Sequence, residues 1–400
     1  MFCPKKLNFG MASPGRFVFS QIIEMVHRQL FARCVQRYQG DHRVRHFSCR
    51  EQFLSLAFAQ LTGRESLRDI EVCLNARPER RYHLGFGQPV ARSTLAEANE
   101  SRDYRIYSDL AQVLIGRARQ LYCDEDLGLE LEGAVYALDS TTIELCLSLF
   151  PWARYQRNCG AIKLHTLLDL RGPIPSFLHF SDGKQADVTV LDALIPEPGS
   201  FYLMDRGYVD LGRLFRMHQV GAFFVTRTKK GIRFARLNSR PIDMSTGLRS
   251  DQTVHFATAE GRAHYPEPLR KVHFKDPDTG KTLVFLTNNL DLPALTIARL
   301  YKLRWRVELF FKWIKGHLRI KAFYGTSANA VQTQVWVAIC IYVLVAILKK
   351  ELRLQLSLHT MLQILSVNVF EKVPLAELFT AVPIEIKEGT FHNQLNFNYI

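Results

Sequence analysis

Asp139, Asp205 and Glu308 are the residues of this chain whose chemistry and placement suit a divalent cation. Asp139 closes the apolar run AVYALDS, and Asp205 closes FYLMD before a Gly turn at Gly207. A carboxylate at the tip of an apolar strand is costly unless it binds something. Glu308 lies in YKLRWRVELFFKWIK, where Tyr301, Arg304, Glu308 and Lys315 are spaced by 3, 7 and 14 from the tyrosine. On a helix they fall at roughly 0°, −60°, −20° and −40° around the axis, so one ring, two cations and one carboxylate share a stripe. Three hard oxygen ligands suit Mg²⁺ or Mn²⁺. Two such ions about 4 Å apart activate a nucleophile and stabilise the leaving oxygen of a displacement at phosphorus. Singly, Asp139 reads equally as a turn cap and Glu308 as an (i, i+4) partner of Arg304. Together, in the ordered set of strands described next, they favour the metal site.

The elements that must position these groups begin near Gly133. AVYALDS, IKLHTLLDL and PSFLHFSD are β-rich, the last two joined by a Gly172–Pro173 turn. A helix over 187–195, the strand FYLMD, the helix VDLGRLFRMHQV and the strand AFFVTR follow. This order is that of an RNase H-like α/β core. Residues 229–288 read as an inserted β subdomain, and the chain turns helical again after Pro293. Upstream, 17–40 reads as one amphipathic helix, 47–76 as a helical region broken by Gly63 with Ser66 as a cap, and Ser93 as the start of another helix. The expected organisation is an all-helical N-terminal domain (1–130), the core (131–228 and 289–350), the β insertion (229–288) and a helical tail (351–400). The helical leader and its clustered Arg77, Arg80, Arg81 and Arg92 suit a helix-turn-helix-like DNA-binding unit, or equally a plain bundle with a solvated basic face.

Composition narrows the partners. The 400 residues carry a formal charge of +14, 47% apolar and 22% charged side chains, the profile of a folded protein with an affinity for polyanions. Between Tyr301 and Lys321 stand seven Lys or Arg (Lys302, Arg304, Arg306, Lys312, Lys315, Arg319 and Lys321) against one acid, a surface expected to meet a phosphate backbone. Eight cysteines without a Cys-x-x-Cys pair read as reduced thiols in a cytoplasm. The first residues lack the apolar stretch of a secretory signal. Val335 to Leu348 is apolar throughout but shorter than the ~20 residues a membrane span needs, so a buried core helix is expected and no membrane.

At this point the chain resembles the insertion-sequence-four family of bacterial DDE transposases. YKLRWRVELFFKWIK matches that family's Tyr-(2)-Arg-(3)-Glu-(6)-Lys signature without a gap, and LDSTT and MDRGY are similar to its two aspartate motifs. SLRDIE and RSTLAEAN resemble the helical leader of one branch. The resemblance implies cut-and-paste transposition. Activated water cuts at the element's end, and the freed 3′-OH attacks, in relatives first the other strand to form a hairpin and later the target. It implies double-stranded DNA as partner (terminal inverted repeats and target), a synaptic homodimer, and two Mg²⁺ or Mn²⁺ ions on Asp139, Asp205 and Glu308. Tyr301, Arg304 and Lys315 would then hold DNA phosphates, Arg304 through bidentate contact.

Other residues carry two readings each. Trp305 suits stacking on an unpaired base or core packing. Lys163 and His165 share one strand face, near a substrate or in cross-strand packing. Arg206 and Tyr208 flank Asp205 and could position DNA. Arg227, Lys229 and Lys230 suit DNA backbone contacts or a solvated turn. Two other functions compete: a transposase-derived DNA-binding protein without catalysis, against which the retention of three carboxylates argues, and a stand-alone nuclease, against which the helical leader argues.

Overall fold

A computed structural model describes residues 15–156, 159–317 and 323–380. A ten-stranded sheet organises them: β1 (Val135–Leu145), β2 (Arg154–Gln156), β3 (Cys159–Asp169), β4 (Ile174–Asp182), β5 (Phe201–Met204), β6 (Phe223–Arg227), β7 (Phe234–Arg240), β8 (Leu248–Phe256), β9 (Leu269–Lys275) and β10 (Thr282–Thr287). The half built from β1 and β3 to β6 runs in the spatial order β4-β3-β1-β5-β6. β1, β3 and β4 form an antiparallel meander, and β5 and β6 join parallel to β1. That is the RNase H-like arrangement. At the β3–β4 turn, a Cβ on Gly172 would lie 2.4 Å from the Tyr122 ring, so only glycine permits this approach of turn to helix.

The stretch expected as an inserted subdomain is hydrogen-bonded into the same sheet. β10 pairs antiparallel with β6, and β9, β8 and β7 continue outward in that order. The buried pair Arg270–Asp251, with guanidinium to carboxylate distances of 2.8 and 2.7 Å, ties β9 to β8. The expected helix over 187–195 is a 3₁₀ segment, Asp187–Asp192.

The N-terminal helices follow their capping chemistry. Ser48 and Glu51 form a reciprocal capping box on Cys49–Thr62, Gly63 ends that helix in the left-handed region at φ 65°, and Ser66 caps Leu67–Asn75. Two expected continuous helices are broken. Residues 17–40 divide into Val18–Glu24 and Arg28–Arg37, because the turn between them buries Met25 and Val26. The helix over 93–122 divides into Arg92–Ser101 and Arg105–Tyr122. Between them Arg102 turns extended, and its guanidinium reaches the Phe47 carbonyl and Gln52 Oε1.

The helix Ala328–Glu351 is apolar on every side and therefore buried. By length and composition it could cross a membrane, yet 94% of its most apolar window lies inside the molecule. It packs on Arg105–Tyr122 and Cys49–Thr62, while Trp336 meets Phe180 of β4 and the Tyr342 hydroxyl donates to the Pro173 carbonyl at 2.8 Å. One hydrophobic core thus runs from the N-terminal helices through the sheet to the helix Leu358–Asn368. Of the expected tail, residues 381–400 lie outside the described residues, as do the first fourteen.

Candidate active site

Asp139 does not close its strand: β1 continues to Leu145. What ends there is the pairing with β5, whose last parallel partners are Leu138 and Met204. The next residues along the two strands are Asp139 and Asp205, so the register sets the two carboxylates side by side where β5 leaves the sheet. On its other flank Asp139 stays paired, to Thr166 of β3. Asp205 caps the 3₁₀ turn Arg206–Tyr208 by accepting from Gly207 N, and its carbonyl accepts from buried Thr226 Oγ1 at 3.0 Å.

Glu308 arrives on the helix Trp305–His317, which packs against β1. The stripe from Tyr301 to Lys315 is not one helix. Ala294–Leu303 ends at Arg304, where Arg304 N bonds Tyr301 O and Val307 N bonds Arg304 O. These i→i−3 bonds tighten the turn and shift the phase of the two halves. Tyr301 is consequently buried, its ring 4.9 Å from that of Phe285, with the Arg304 guanidinium over it at 5.8 Å.

Arg304 bridges the carboxylates. Nη1 donates to Asp139 Oδ2 at 3.0 Å and Nη2 to Glu308 Oε1 at 2.5 Å. Burial alone would lower its pKa, but Tyr301, Asp139 and Glu308 outweigh it and raise the value. Asp139 behaves oppositely to an ordinary ion-paired acid. Burial pushes its pKa up to about 6, Glu308 and Asp205 push the same way, and the Ser140 N–H (2.8 Å) and Arg304 only partly offset this. Asp139 therefore lies close enough to both other acids to feel their charge.

Among the described residues no group of three His, Cys, Asp or Glu side chains stands ready-made around a metal ion; the Arg304 cation occupies the space between two of them. The donor chemistry nonetheless fits a divalent cation, because Asp139, pushed by the charges of Asp205 and Glu308, is a hard oxygen donor beside two others and gains from a concentrated positive charge.

Among the described cations of 301–321, Arg304, Arg306 and Lys315 turn inward, while Lys302 stays on the surface. Lys315 Nζ donates to the Thr142 carbonyl of β1 at 2.7 Å, Arg306 Nη1 to the Leu170 carbonyl at 2.9 Å, and Lys302 pairs with Asp278 at 2.7 Å. Lys312 is exposed, and Arg319 and Lys321 lie outside the described residues. Trp305 is 42% exposed beside Arg304. Arg206 is exposed while Tyr208 is buried, which removes Tyr208 from any surface contact. Lys229 donates to the Val209 carbonyl at 2.8 Å, and Lys230 is exposed. His165 is a core residue: its Nε2 meets Ser181 Oγ at 2.7 Å, and burial lowers its pKa to about 4. Sequence reasoning missed Asp187, which takes Ser140 Oγ–H at 2.9 Å and pairs with Lys163 at 3.0 Å. No spacing signal foreshadows that contact.

An RNase H-like sheet with two register-matched aspartates and a helix-borne glutamate defines the class of phosphoryl-transfer enzymes that act on nucleic acids. The chain belongs to the DDE transposase family: residues 130–344 match the transposase DDE domain. Residues 15–87 match a domain of unknown function (DUF4372). A Sinorhizobium fredii protein named as a transposase, y4zB, is 30% identical over 334 residues, 81% of this chain and 92% of that one. A protein of Geobacillus stearothermophilus, named as a transposase for insertion sequence element IS5377, is 28% identical across 66% of this chain and 70% of its own. A Synechocystis protein named for element IS4SA is 26% identical across 66% and 73%. A cryo-EM structure of a piggyBac transposase synaptic complex with hairpin DNA aligns over 91% of this chain and 81% of that one at 12% identity and a TM-score of 0.46, too distant to carry a conclusion. Membership of the family brings DNA as partner and dependence on a divalent metal.

Proposed function

We propose that this chain cuts and joins the ends of an insertion sequence by cut-and-paste phosphoryl transfer, with Asp139, Asp205 and Glu308 as metal ligands. The reading is supported above all by the β1–β5 register that sets Asp139 beside Asp205, with Glu308 held to the same point through Arg304. Two Mg²⁺ or Mn²⁺ ions, when bound, supply Lewis-acid polarisation of the scissile phosphodiester. The chain's own residues orient and neutralise. Arg304 releases its carboxylates and offers its planar fork to a DNA phosphate, with Tyr301 beneath the guanidinium fixing its direction. Lys315 adds a cation about two helical turns from Glu308 on the same face, and Trp305 offers an exposed ring to an unpaired base. Water attacks phosphorus at the element boundary, the P–O3′ bond breaks, and the 3′-oxygen leaves to take up a proton. That 3′-OH then attacks a second phosphodiester, giving up its proton and forming a new P–O3′ bond as that phosphodiester's own 3′-oxygen leaves and takes up a proton.

The partners proposed are terminal inverted repeats and target DNA, brought together by a homodimer in the cytoplasm. The test is a labelled duplex carrying the element's own end, incubated with Mg²⁺ and either the wild-type chain or Asp139→Ala. Cleavage at the boundary by the wild type alone supports the reading. Specific binding without cutting, even with Mn²⁺, transfers the chain to the non-catalytic DNA-binding class.

A further inference from the structure

The N-terminal helices hold a second cationic site, built from different residues, in the segment that matches a domain of unknown function. Between the helices Arg28–Arg37 and Cys49–Thr62 the loop 39–47 stands out from the surface. Three of its nine residues are non-glycine residues in the left-handed region: Gln39 (φ 52°), Arg43 (φ 59°) and Phe47 (φ 60°). Such conformations persist only where the surroundings over-determine them, and they concentrate at functional sites.

Here both ends are pinned. A Cβ on Gly40 would lie 2.4 Å from Ile106 Cδ1 and 2.7 Å from Cys49 Sγ. Asp41 accepts from Cys49 N at 2.6 Å, and Phe47 is buried under the Arg102 guanidinium. Between these anchors His42, Arg43, Arg45 and His46 are exposed. Among the described residues none of the four has a side-chain hydrogen bond or ion pair.

Behind the loop lies a cavity of about 550 Å³ lined by Arg28, His42 and Arg50 above an apolar floor that includes Phe31 and Val35. Arg50 Nη1 is buried without an acceptor, a donor whose desolvation nothing in the protein repays. The two arginines repel each other, and burial together with Arg28 lowers the pKa of Arg50. Of the acids nearby, Asp41, which also lines the cavity, accepts from Cys49 N, Glu51 caps at Ser48, Asp103 pairs with Arg105 and Asp109 with Arg37; Glu97 lines the hollow beside Arg43 and Arg45 without an ion pair to either. An unpaired buried donor, a like-charged neighbour and a rigid cationic loop together lack an external anion.

We propose that Arg28, Arg50 and the loop cations Arg43 and Arg45 bind the phosphate backbone of duplex DNA, apart from the carboxylate site. The proposal rests on the DNA-cutting reading above and adds to it where the helical unit grips. It adds to the contact expected at Arg77, Arg80, Arg81 and Arg92, of which Arg80 packs on Phe370, Arg77 faces Glu79 and Arg92 is exposed.

The test uses the full chain, a labelled duplex carrying the element's end, and a scrambled duplex, with binding followed by fluorescence anisotropy as KCl is raised. Arg43→Gln/Arg45→Gln and Arg28→Gln/Arg50→Gln each remove two phosphate contacts. Each is expected to lower the slope of log K against log salt by about 1.8 and to weaken binding at least roughly tenfold at about 0.1 M salt, on both duplexes alike because backbone contacts carry no sequence information. The exposed Arg43/Arg45 pair keeps the test open should the buried pair compromise folding. A wild-type slope in the Arg43→Gln/Arg45→Gln protein overturns the proposal while leaving the DNA-cutting reading intact. So does stabilisation of the wild type by inorganic phosphate, lost in Arg28→Gln/Arg50→Gln without any change in the DNA slope, which marks a small-anion site. Failure of the wild type to bind either duplex overturns the cutting reading, and this proposal with it.

Discussion

Arg304 and Asp139, 165 residues apart in sequence, meet at 3.0 Å in the middle of the site. The guanidinium also holds Glu308 at 2.5 Å, so one side chain restrains two of the three acids. A single planar fork can do this; a lysine ammonium, as a point charge on a flexible stem, cannot serve both with the same geometry. Arg304→Ala is expected to destabilise the metal-free chain by about 3 kcal/mol, the scale for stripping a buried partner from its charge. Added Mg²⁺ is expected to raise the melting temperature of the variant more than that of the wild type. Thermal melts across a Mg²⁺ series check this, and an equal rise in both proteins counts against Arg304 as the occupant of the cation position.

Asp139 makes the site sensitive to pH. Its carboxyl rises from 3.8 to about 6 in the folded chain, through burial first and the neighbouring acids after it. A raised acid favours the protonated folded form: its contribution is fully present below pH 3.8 and is lost as pH climbs through 6. The difference amounts to at most about 3 kcal/mol. Asp139→Asn is therefore expected to melt higher than the wild type at pH 8 without metal, with the gap closing toward pH 4. In the wild type, protons compete with metal below about pH 6, so cleavage at sub-saturating Mg²⁺ falls there. Melting curves and pH–rate profiles read the two effects separately.

Glu308→Gln keeps the shape and one acceptor for Arg304 but removes the charge. Cleavage is expected to fall roughly a thousandfold or more, on the scale of losing a transition-state charge contact, while duplex binding stays near wild type. Anisotropy and gel cleavage on one sample decide it; parallel loss of both would argue that Glu308 shapes the DNA surface and holds no metal.

Arg270 and Asp251 form a doubly hydrogen-bonded pair, each side chain under 5% exposed, where β9 meets β8. Arg270→Ala leaves a buried carboxylate alone and is expected to cost about 3–5 kcal/mol. Arg270→Ala/Asp251→Ala is expected to recover part of that. Urea midpoints of the two variants measure the difference, and because β7–β9 extend the same sheet as β1, the loss is expected in one cooperative transition.

Much of this was legible in the residues, unevenly. The two aspartates stand out because each follows an apolar run, yet their adjacency is a register fact that no local pattern contains. Asp139 looked like a strand terminus because Ser140, Thr141 and Thr142 are polar, whereas β1 runs on through them paired to β3. The stripe of Tyr301, Arg304, Glu308 and Lys315 assumed ideal helical phase. Two i→i−3 bonds at Arg304 broke that phase, and long-range acceptors at Thr142 and Leu170 drew the cations inward. The β-rich stretch 229–288 showed its strands plainly, but pairing of β10 with β6 depends on contacts roughly sixty residues apart. Capping at Ser48, Gly63 and Ser66 is local chemistry, and Gly63 and Ser66 were readable at once.

The helix Ala328–Glu351 fills one core shared by the N-terminal helices and the catalytic sheet. The helix Arg105–Tyr122, which packs on it, leads through residues 123–134 into β1 and Asp139. On the two proposals above, the interval between a gripped backbone and the carboxylates is set, calliper-like, by the packing of this helix, so enlarging or hollowing its contacts is expected to shift the cut along the DNA.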